Sequence, residues 1–248
     1  MATQYAFGKI VTDGLVLCLD AADRNSYVSG STTWFDVAGS NNGTLTNGPT
    51  FNAANGGSIV FDGIDDYVLT SLNAASFTSF NMSIGVWFNT KTIKNDTFTL
   101  IAGARAGNDA YQPLGFFIET RNSWAGNYSN NPGIVVISNY PRHAKSAPNT
   151  ITNNTWYYVV QTATQAQTQL YINGILIDTT ISSTSMYTST PFYFGVGSYG
   201  NFGTYPGSTQ YNSYYSNQNI SITQIYNRAL SASEVAQNYN ATKARFGL

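Results

Sequence analysis

Apolar residues recur along this chain in short runs, often at every second position. Met82, Ile84, Val86 and Phe88 alternate with Ser83, Gly85, Trp87 and Asn89. That is the period of a strand with one face turned to a core. Leu15 to Leu19, Ser58 to Phe61, Tyr67 to Leu69, Phe98 to Ala102, Leu114 to Glu119 and Ile134 to Ser138 read as further strands, as do Trp156 to Gln161, Phe192 to Val196 and Ile220 to Tyr226. Gln167 to Ile172 and Ile175 to Thr180 flank Asn173-Gly174. This pair predicts a hairpin, because both central positions of the favoured two-residue turn need a positive φ. One helix is predicted over 231–241. Ser231 and Glu234 have the spacing of a capping box, and Val235, Asn238 and Tyr239 fall on adjacent turns. Two stretches, 121–133 and 198–219, read as loops. The pattern predicts one all-β domain, a sandwich or barrel, with one short C-terminal helix.

Composition narrows the function. The 248 residues carry 11 Lys+Arg and 12 Asp+Glu, only 9% charged, against roughly 25% in an ordinary globular chain. No basic excess is present to neutralise phosphates, so a nucleic-acid partner is not expected. The 42% hydrophobic fraction is enough for a core. The surface is therefore expected to be Asn, Thr, Ser and Tyr. The first residues lack a basic stretch followed by an apolar one, which predicts no secretory signal. No run approaches the ~20 apolar residues of a membrane-spanning helix.

Candidate chemistry is sparse. Cys18, the single cysteine, sits in the apolar run Leu15 to Leu19 and reads as a buried small hydrophobe. The single histidine, His143, reads as a solvated loop residue with no tie to it. Glycoside hydrolysis needs a pair of carboxylates across the scissile bond. The chain has two glutamates, Glu119 on a strand and Glu234 in the capping box, and no run of acidic residues at alternate strand positions. An enzyme is not expected. Asp62, Asp65 and Asp66 cluster in a turn, where Asp commonly bonds its own backbone. Trp34, Trp87 and Trp156 lie in strand-like segments and are expected to pack. Trp124, Tyr128, Tyr199, Tyr205, Tyr211 and Tyr214 lie in the two loop-like stretches. They are the candidates for contact with a glycan or a protein partner, since sugars stack on aromatic rings and Tyr and Trp are favoured at interfaces.

Seven segments then follow one another in a recognisable order. They are Asp13-Gly14-Leu15-Val16-Leu17-Cys18-Leu19-Asp20-Ala21-Ala22; Trp34-Phe35-Asp36 with Asn42-Gly43-Thr44-Leu45; Ser58 to Val68, containing Phe61-Asp62-Gly63-Ile64-Asp65-Asp66-Tyr67; Met82 to Phe88; Trp156 to Val160; Leu170-Tyr171-Ile172-Asn173-Gly174; and Ile225 to Ser231, containing Tyr226-Asn227-Arg228-Ala229-Leu230. Together they resemble the laminin G-like branch of the concanavalin A-like lectin/glucanase superfamily. The resemblance implies a jelly-roll sandwich of two antiparallel sheets over 13–240, an N-terminal arm over 1–12 and a C-terminal tail over 241–248. Both flanks are candidate docking arms.

More narrowly, the chain resembles single-domain proteins of this type that are virion structural components of tailed bacteriophages. This implies a non-enzymatic capsid-decoration, neck or tail protein. It would be made in the host cytoplasm, reside on the virion and contact other virion proteins, with homo-oligomers on the particle. The alternative is a carbohydrate-binding adhesin that recognises host surface polysaccharide. Many relatives hold a structural Ca²⁺, and Asp20, Asp62, Asp65 and Asp66 are the candidate ligands here. The family often carries an acidic pair just before the Tyr-Asn-Arg segment, whereas this chain reads Ser221-Ile222-Thr223-Gln224, which removes charge from that cage. Co-occurrence of motifs in the family pairs Arg228 with Asp62 or Asp66.

Overall fold

The computed structural model describes residues 8–73, 77, 81–95, 98–105, 113–120, 122–123, 126–138, 143–181, 193–196, 215 and 217–248. The strands in chain order are β1 Leu15–Asp20, β2 Thr33–Trp34, β3 Gly43–Thr46, β4 Thr50–Asn52, β5 Ser58–Asp62, β6 Tyr67–Asn73, β7 Met82–Thr92, β8 Phe98–Arg105 and β9 Pro113–Glu119. They continue with β10 Asn122–Ser123, β11 Gly126–Asn127, β12 Gly133–Ser138, β13 His143–Lys145, β14 Trp156–Ala163, β15 Gln167–Ile172, β16 Ile175–Ile181, β17 Tyr193–Val196 and β18 Asn217–Tyr226. One helix, α1 Ala232–Thr242, follows and runs into a short 3-10 turn, Lys243–Phe246.

All the described strands except β10 and β11, which pair only with each other, form two antiparallel sheets. The first runs β16-β15-β14-β7-β18-β5-β4, with β1 pairing the C-terminal half of β18 beside β5. The second runs β13-β12-β9-β8-β17-β6-β3-β2. Leu17, Ile59, Phe61, Ile84, Val86, Phe88, Val159, Leu170 and Ile220 of the first sheet form one buried cluster with Trp34, Val68, Ile101, Ile118, Ile134, Val136 and Val196 of the second. This is the expected jelly-roll sandwich. Short pieces escaped the pattern: β2, β4, β13 and the β10–β11 hairpin are two or three residues each, too short to show a period. His143 accordingly lies in edge strand β13 and not in a loop. The Asn173-Gly174 hairpin is as expected, with φ of 52° and 81° at its two central residues.

The alternation in β7 misleads in one respect. Ser83, Gly85, Trp87 and Asn89 are as buried as the residues between them. The outer face of the first sheet is roofed by α1 and the turn after it. Trp87, Tyr158, Val160, Tyr171, Ile222 and Tyr226 pack there with Leu230, Val235 and Phe246. The Trp87 ring stacks on Phe246 at 4.1 Å and on Tyr158 at 5.3 Å, while its Nε1–H donates to Thr242 Oγ1 at 2.8 Å. Gly85 is required for this approach, because a Cβ there would stand 2.8 Å from the Tyr158 hydroxyl. Trp34 and Trp87 are fully buried and Trp156 is partly buried, so all three pack as expected.

Among the described residues, the segments flanking the sheet motifs on both sides are tied to this roof. Val11 N–H donates to Asn238 Oδ1 at 2.8 Å, Tyr226 O–H donates to Val11 O at 3.0 Å, and Gln237 Nε2 donates to Lys9 O at 2.8 Å. Residues 243–246, set apart above as part of a tail, place Phe246 on Trp87 and Arg245 on the end of β1.

The helix begins as its sequence predicts. Ser231 accepts from the Glu234 N–H, and the Glu234 carboxylate accepts from the Ser231 N–H. Arg228 closes the start of the helix, donating to both Glu234 carboxylate oxygens and pairing with Asp13 at 2.8 Å. The expected pairing of Arg228 with Asp62 or Asp66 is therefore corrected. The 228–234 turn brings Glu234 to the guanidinium, whereas Asp62 and Asp66 sit in the β5–β6 turn. The Arg228 hydrogen bonds, ahead of those from Ser231, lower the Glu234 carboxyl from 4.5 to about 2. A carboxylate lowered on folding stabilises the fold fully above its unfolded pKa, and that stability is lost as pH falls toward the folded value. Glu234→Gln is thus expected to cost about 1 kcal/mol at pH 7. The gap from the parent should close between pH 4.5 and about 2, read by denaturant melts across that range. A gap independent of pH would show that the carboxylate charge plays no part.

Candidate functional site

An open cleft lies at one margin of the sandwich, where the chain passes from the second sheet to the first. It is built from the β1–β2 connection, the end of β3 and β4, and encloses about 520 Å³. Tyr27 and Phe51 form its apolar part, with ring centroids 5.4 Å apart and planes tilted by 32°. Tyr27 is buried and Phe51 half-buried, and the Tyr27 O–H donates to Ser31 O at 3.1 Å. The remaining lining includes Ser29, Thr32, Asn47 and Thr50. Asn47 and Gly48 make the turn between β3 and β4, with φ of 67° and 106°. Asn47 Nδ2 donates to Asp65 O at 2.8 Å, which fixes its amide.

None of the aromatic candidates from the sequence falls in this cleft among the described residues. Tyr128 is corrected outright as an exposed platform, since only 1% of it is accessible. The β10–β11 hairpin lays its ring over Gly133, where a Cβ would come within 2.4 Å of it, and its hydroxyl donates to Ser146 O at 3.1 Å. Trp124, Tyr199, Tyr205, Tyr211 and Tyr214 lie outside the described residues. The cleft residues left one legible signal, the Asn47-Gly48 pair between Leu45 and Phe51. Nothing local joins Tyr27 to them.

The acidic candidates divide. Asp62, Asp65 and Asp66 do converge, with carboxylate oxygens within 4.8 Å of one another. The carboxylates of Asp62 and Asp66 serve the turn itself. Asp62 Oδ1 accepts from Ile64 N–H at 2.7 Å, and Asp66 Oδ2 accepts from Asp62 N–H at 3.0 Å. Burial raises the Asp66 carboxyl above its ordinary value. Lys94 places its ammonium on the same turn, 2.8 Å from Gly63 O.

Asp20 is not with them. It pairs with β18 at Ile222, whereas Asp62 pairs at Asn217, a separation of roughly 16 Å along that strand. Its carboxylate is taken by Arg245 Nη1 at 2.7 Å. The same guanidinium donates to Asn55 O at 2.8 Å, Gly57 O at 3.1 Å and Ser221 Oγ at 2.5 Å. These oxygens would suit a divalent cation in type, but a fixed guanidinium already fills their centre. The four-aspartate calcium set implied by the resemblance therefore does not fit this chain.

Two other reactive groups are enclosed. Cys18 is buried, and burial pushes its thiol far above the ordinary range. Glu119 lies in β9 with none of its surface accessible. Among the described residues, no helix is long and apolar enough to cross a membrane.

Comparison with solved structures gives the same architecture. A Trypanosoma rangeli sialidase in complex with sialic acid superposes with a TM-score of 0.66 at 14% identity, over 94% of this chain and 33% of the sialidase. The chain thus spans about a third of the sialidase's length. The binding domain of botulinum neurotoxin DC in complex with SialylT matches with a TM-score of 0.64 at 16% identity, over 93% of this chain and 52% of that domain's chain. Domain 4 of AbnA, a GH43 extracellular arabinanase from Geobacillus stearothermophilus, in complex with arabinotriose, matches with a TM-score of 0.60 at 17% identity, over 91% of this chain and 98% of that domain. At these identities the likeness is one of fold. No curated protein matches the sequence significantly. The sequence model of a laminin G-like family of the concanavalin A-like lectin/glucanases superfamily matches residues 61–236, which hold the Phe61-to-Val68 motif, the β7, β14 and β18 core and the start of the helix. The chain belongs to that laminin G-like family.

Proposed function

We propose that the protein is a non-enzymatic structural component of a bacteriophage virion, a capsid-decoration, neck or tail protein acting through contacts with other virion proteins and with glycans. The observation that carries this reading is the outer edge of the first sheet. In β16, Ile175 and Ile181 are 66% and 68% exposed, and Leu176 and Ile177 also face solvent. No further strand pairs with β16 beyond β15 among the described residues. An apolar, unpaired edge of this length is a liability on an isolated chain and suits one packed against neighbours. Asp178, Thr179 and Thr180 interrupt the apolar residues of the strand, and Asp178 accepts from the Lys145 N–H of β13 at 2.9 Å. The low charge agrees, because contacts across a neutral polar surface depend little on ionic strength. The glutamates support a non-enzymatic role: Glu119 is enclosed and Glu234 is held by Arg228.

Cryo-electron microscopy of assembled particles is expected to place repeated copies of the chain on the particle exterior, with β16 in a protein contact. Purified particles that lack the chain would overturn the reading. The second reading, a carbohydrate-binding adhesin, is favoured by the Tyr27–Phe51 cleft. A glycan array separates the two, since binding to no glycan at high protein concentration leaves only the structural role.

A further inference from the structure

We infer that the cleft at Tyr27 and Phe51 is a binding site for a neutral oligosaccharide and discriminates against sialylated and other acidic glycans. The inference rests on the glycan-contact reading and adds its site and its ligand class.

The size is appropriate: about 520 Å³ falls within the roughly 300–1,000 Å³ of small-molecule sites. The cleft has the two surfaces a sugar needs. Phe51 offers a half-buried ring, held by Tyr27 at 5.4 Å, against which the C–H-rich face of a pyranose or furanose can lie. The hydroxyls of Ser29, Thr32 and Thr50 make no hydrogen bond to any described residue, so they are free to meet sugar hydroxyls as donors or acceptors. The amide of Asn47, fixed through its Nδ2, leaves Oδ1 as an oriented acceptor. Access to the backbone is open as well. A Cβ built on Gly30 or Gly48 would meet nothing within 4 Å. The aromatic pair, the Tyr27–Ser31 bond and the Asn47–Asp65 bond hold the walls in place before any ligand arrives, which lowers the cost of binding.

Charge decides the ligand class. Among the described residues, no Lys, Arg, Asp, Glu or His lines the cleft. A sialic acid carboxylate entering it would lose water and gain no cationic partner, which weighs against binding. A neutral sugar carries no such penalty.

The test is ligand-observed NMR on the full chain with arabinotriose, maltotriose and lactose as neutral probes, and with 3′-sialyllactose as the acidic one. Binding of at least one neutral probe and none of sialyllactose is expected. Phe51→Leu keeps an apolar side chain but removes the ring, and should weaken neutral binding about tenfold, equivalent to ~1.4 kcal/mol. Thr50→Lys adds a cation to the exposed rim and should raise the response to sialyllactose. Thermal melts confirm that both variants fold. Preference of the parent for sialyllactose would overturn the ligand class. Neutral binding unmoved by Phe51→Leu would overturn the site. A blank response to these probes and to a broad neutral glycan array would overturn the inference together with the glycan part of the functional reading, leaving the structural role standing.

Discussion

Replacing Arg245 by alanine is expected to cost about 3–5 kcal/mol, the range for breaking a buried ion pair from one side. Asp20 would lose its guanidinium partner in a site where it is only 3% exposed. Asn55 O, Gly57 O and Ser221 Oγ would lose a donor in the same step. At ~2–4 °C per kcal/mol for a chain of this size, the melting temperature should fall by about 10 °C. Arg245→Lys should recover part of the loss, because an ammonium restores charge but cannot reach four oxygens as the planar fork does. Asp20→Asn in the alanine background should also recover part, by removing the stranded charge. The parent should melt alike in EDTA and in millimolar calcium. A cation bound a hundredfold below its working concentration would add ~2.7 kcal/mol, which is easily seen. A calcium-dependent rise in the parent would show that the chain holds a cation that the guanidinium does not replace. An Arg245→Ala chain as stable as the parent would show that the C-terminal turn is not part of the fold.

Trp87→Ala is the second large effect, again about 3–5 kcal/mol. The ring lies between the sheet and its roof, on Phe246 and Tyr158. Its loss opens a cavity that α1 cannot fill without leaving its bonds to Val11 and Tyr226. Thr242 Oγ1 also loses its donor. Trp87→Phe should retain the stacking and lose mainly that hydrogen bond, a cost of about 1 kcal/mol. Calorimetry on the three proteins gives the order parent, phenylalanine, alanine. If the alanine variant melts within a degree or two of the parent, the helix does not depend on this ring.

The strands were legible where they were long. β7, β14, β15 and β18 announce themselves by runs of apolar residues, and the β15–β16 turn by Asn173-Gly174. The capping box of α1 was legible because its two partners are three residues apart. The outer face of β7 was misjudged because alternation reports side-chain type and not what covers each face. Gly85 and Ser83 look like solvent positions in sequence, yet Tyr158 and the Ser83 hydrogen bond to Leu230 N–H bury them. Tyr128 was misread for a related reason: an aromatic among Asn and Ser resembles a surface residue until its hydroxyl finds Ser146 O.

By itself the sequence determined an all-β domain, a sandwich or barrel, with one C-terminal helix, a surface poor in charge and a chain with two glutamates. These follow from spacing within a few residues and from composition, neither of which needs the rest of the molecule. The tertiary structure decided the rest. Asp20 meets Arg245 across 225 positions, and that meeting settles against the expected metal set. Tyr27 meets Phe51 only because β1 belongs to one sheet, the chain then crosses to the other, and β4 returns. Such contacts depend on strand order, which local periodicity does not encode: the same alternating pattern serves any neighbour, and only the packed sheets choose which one.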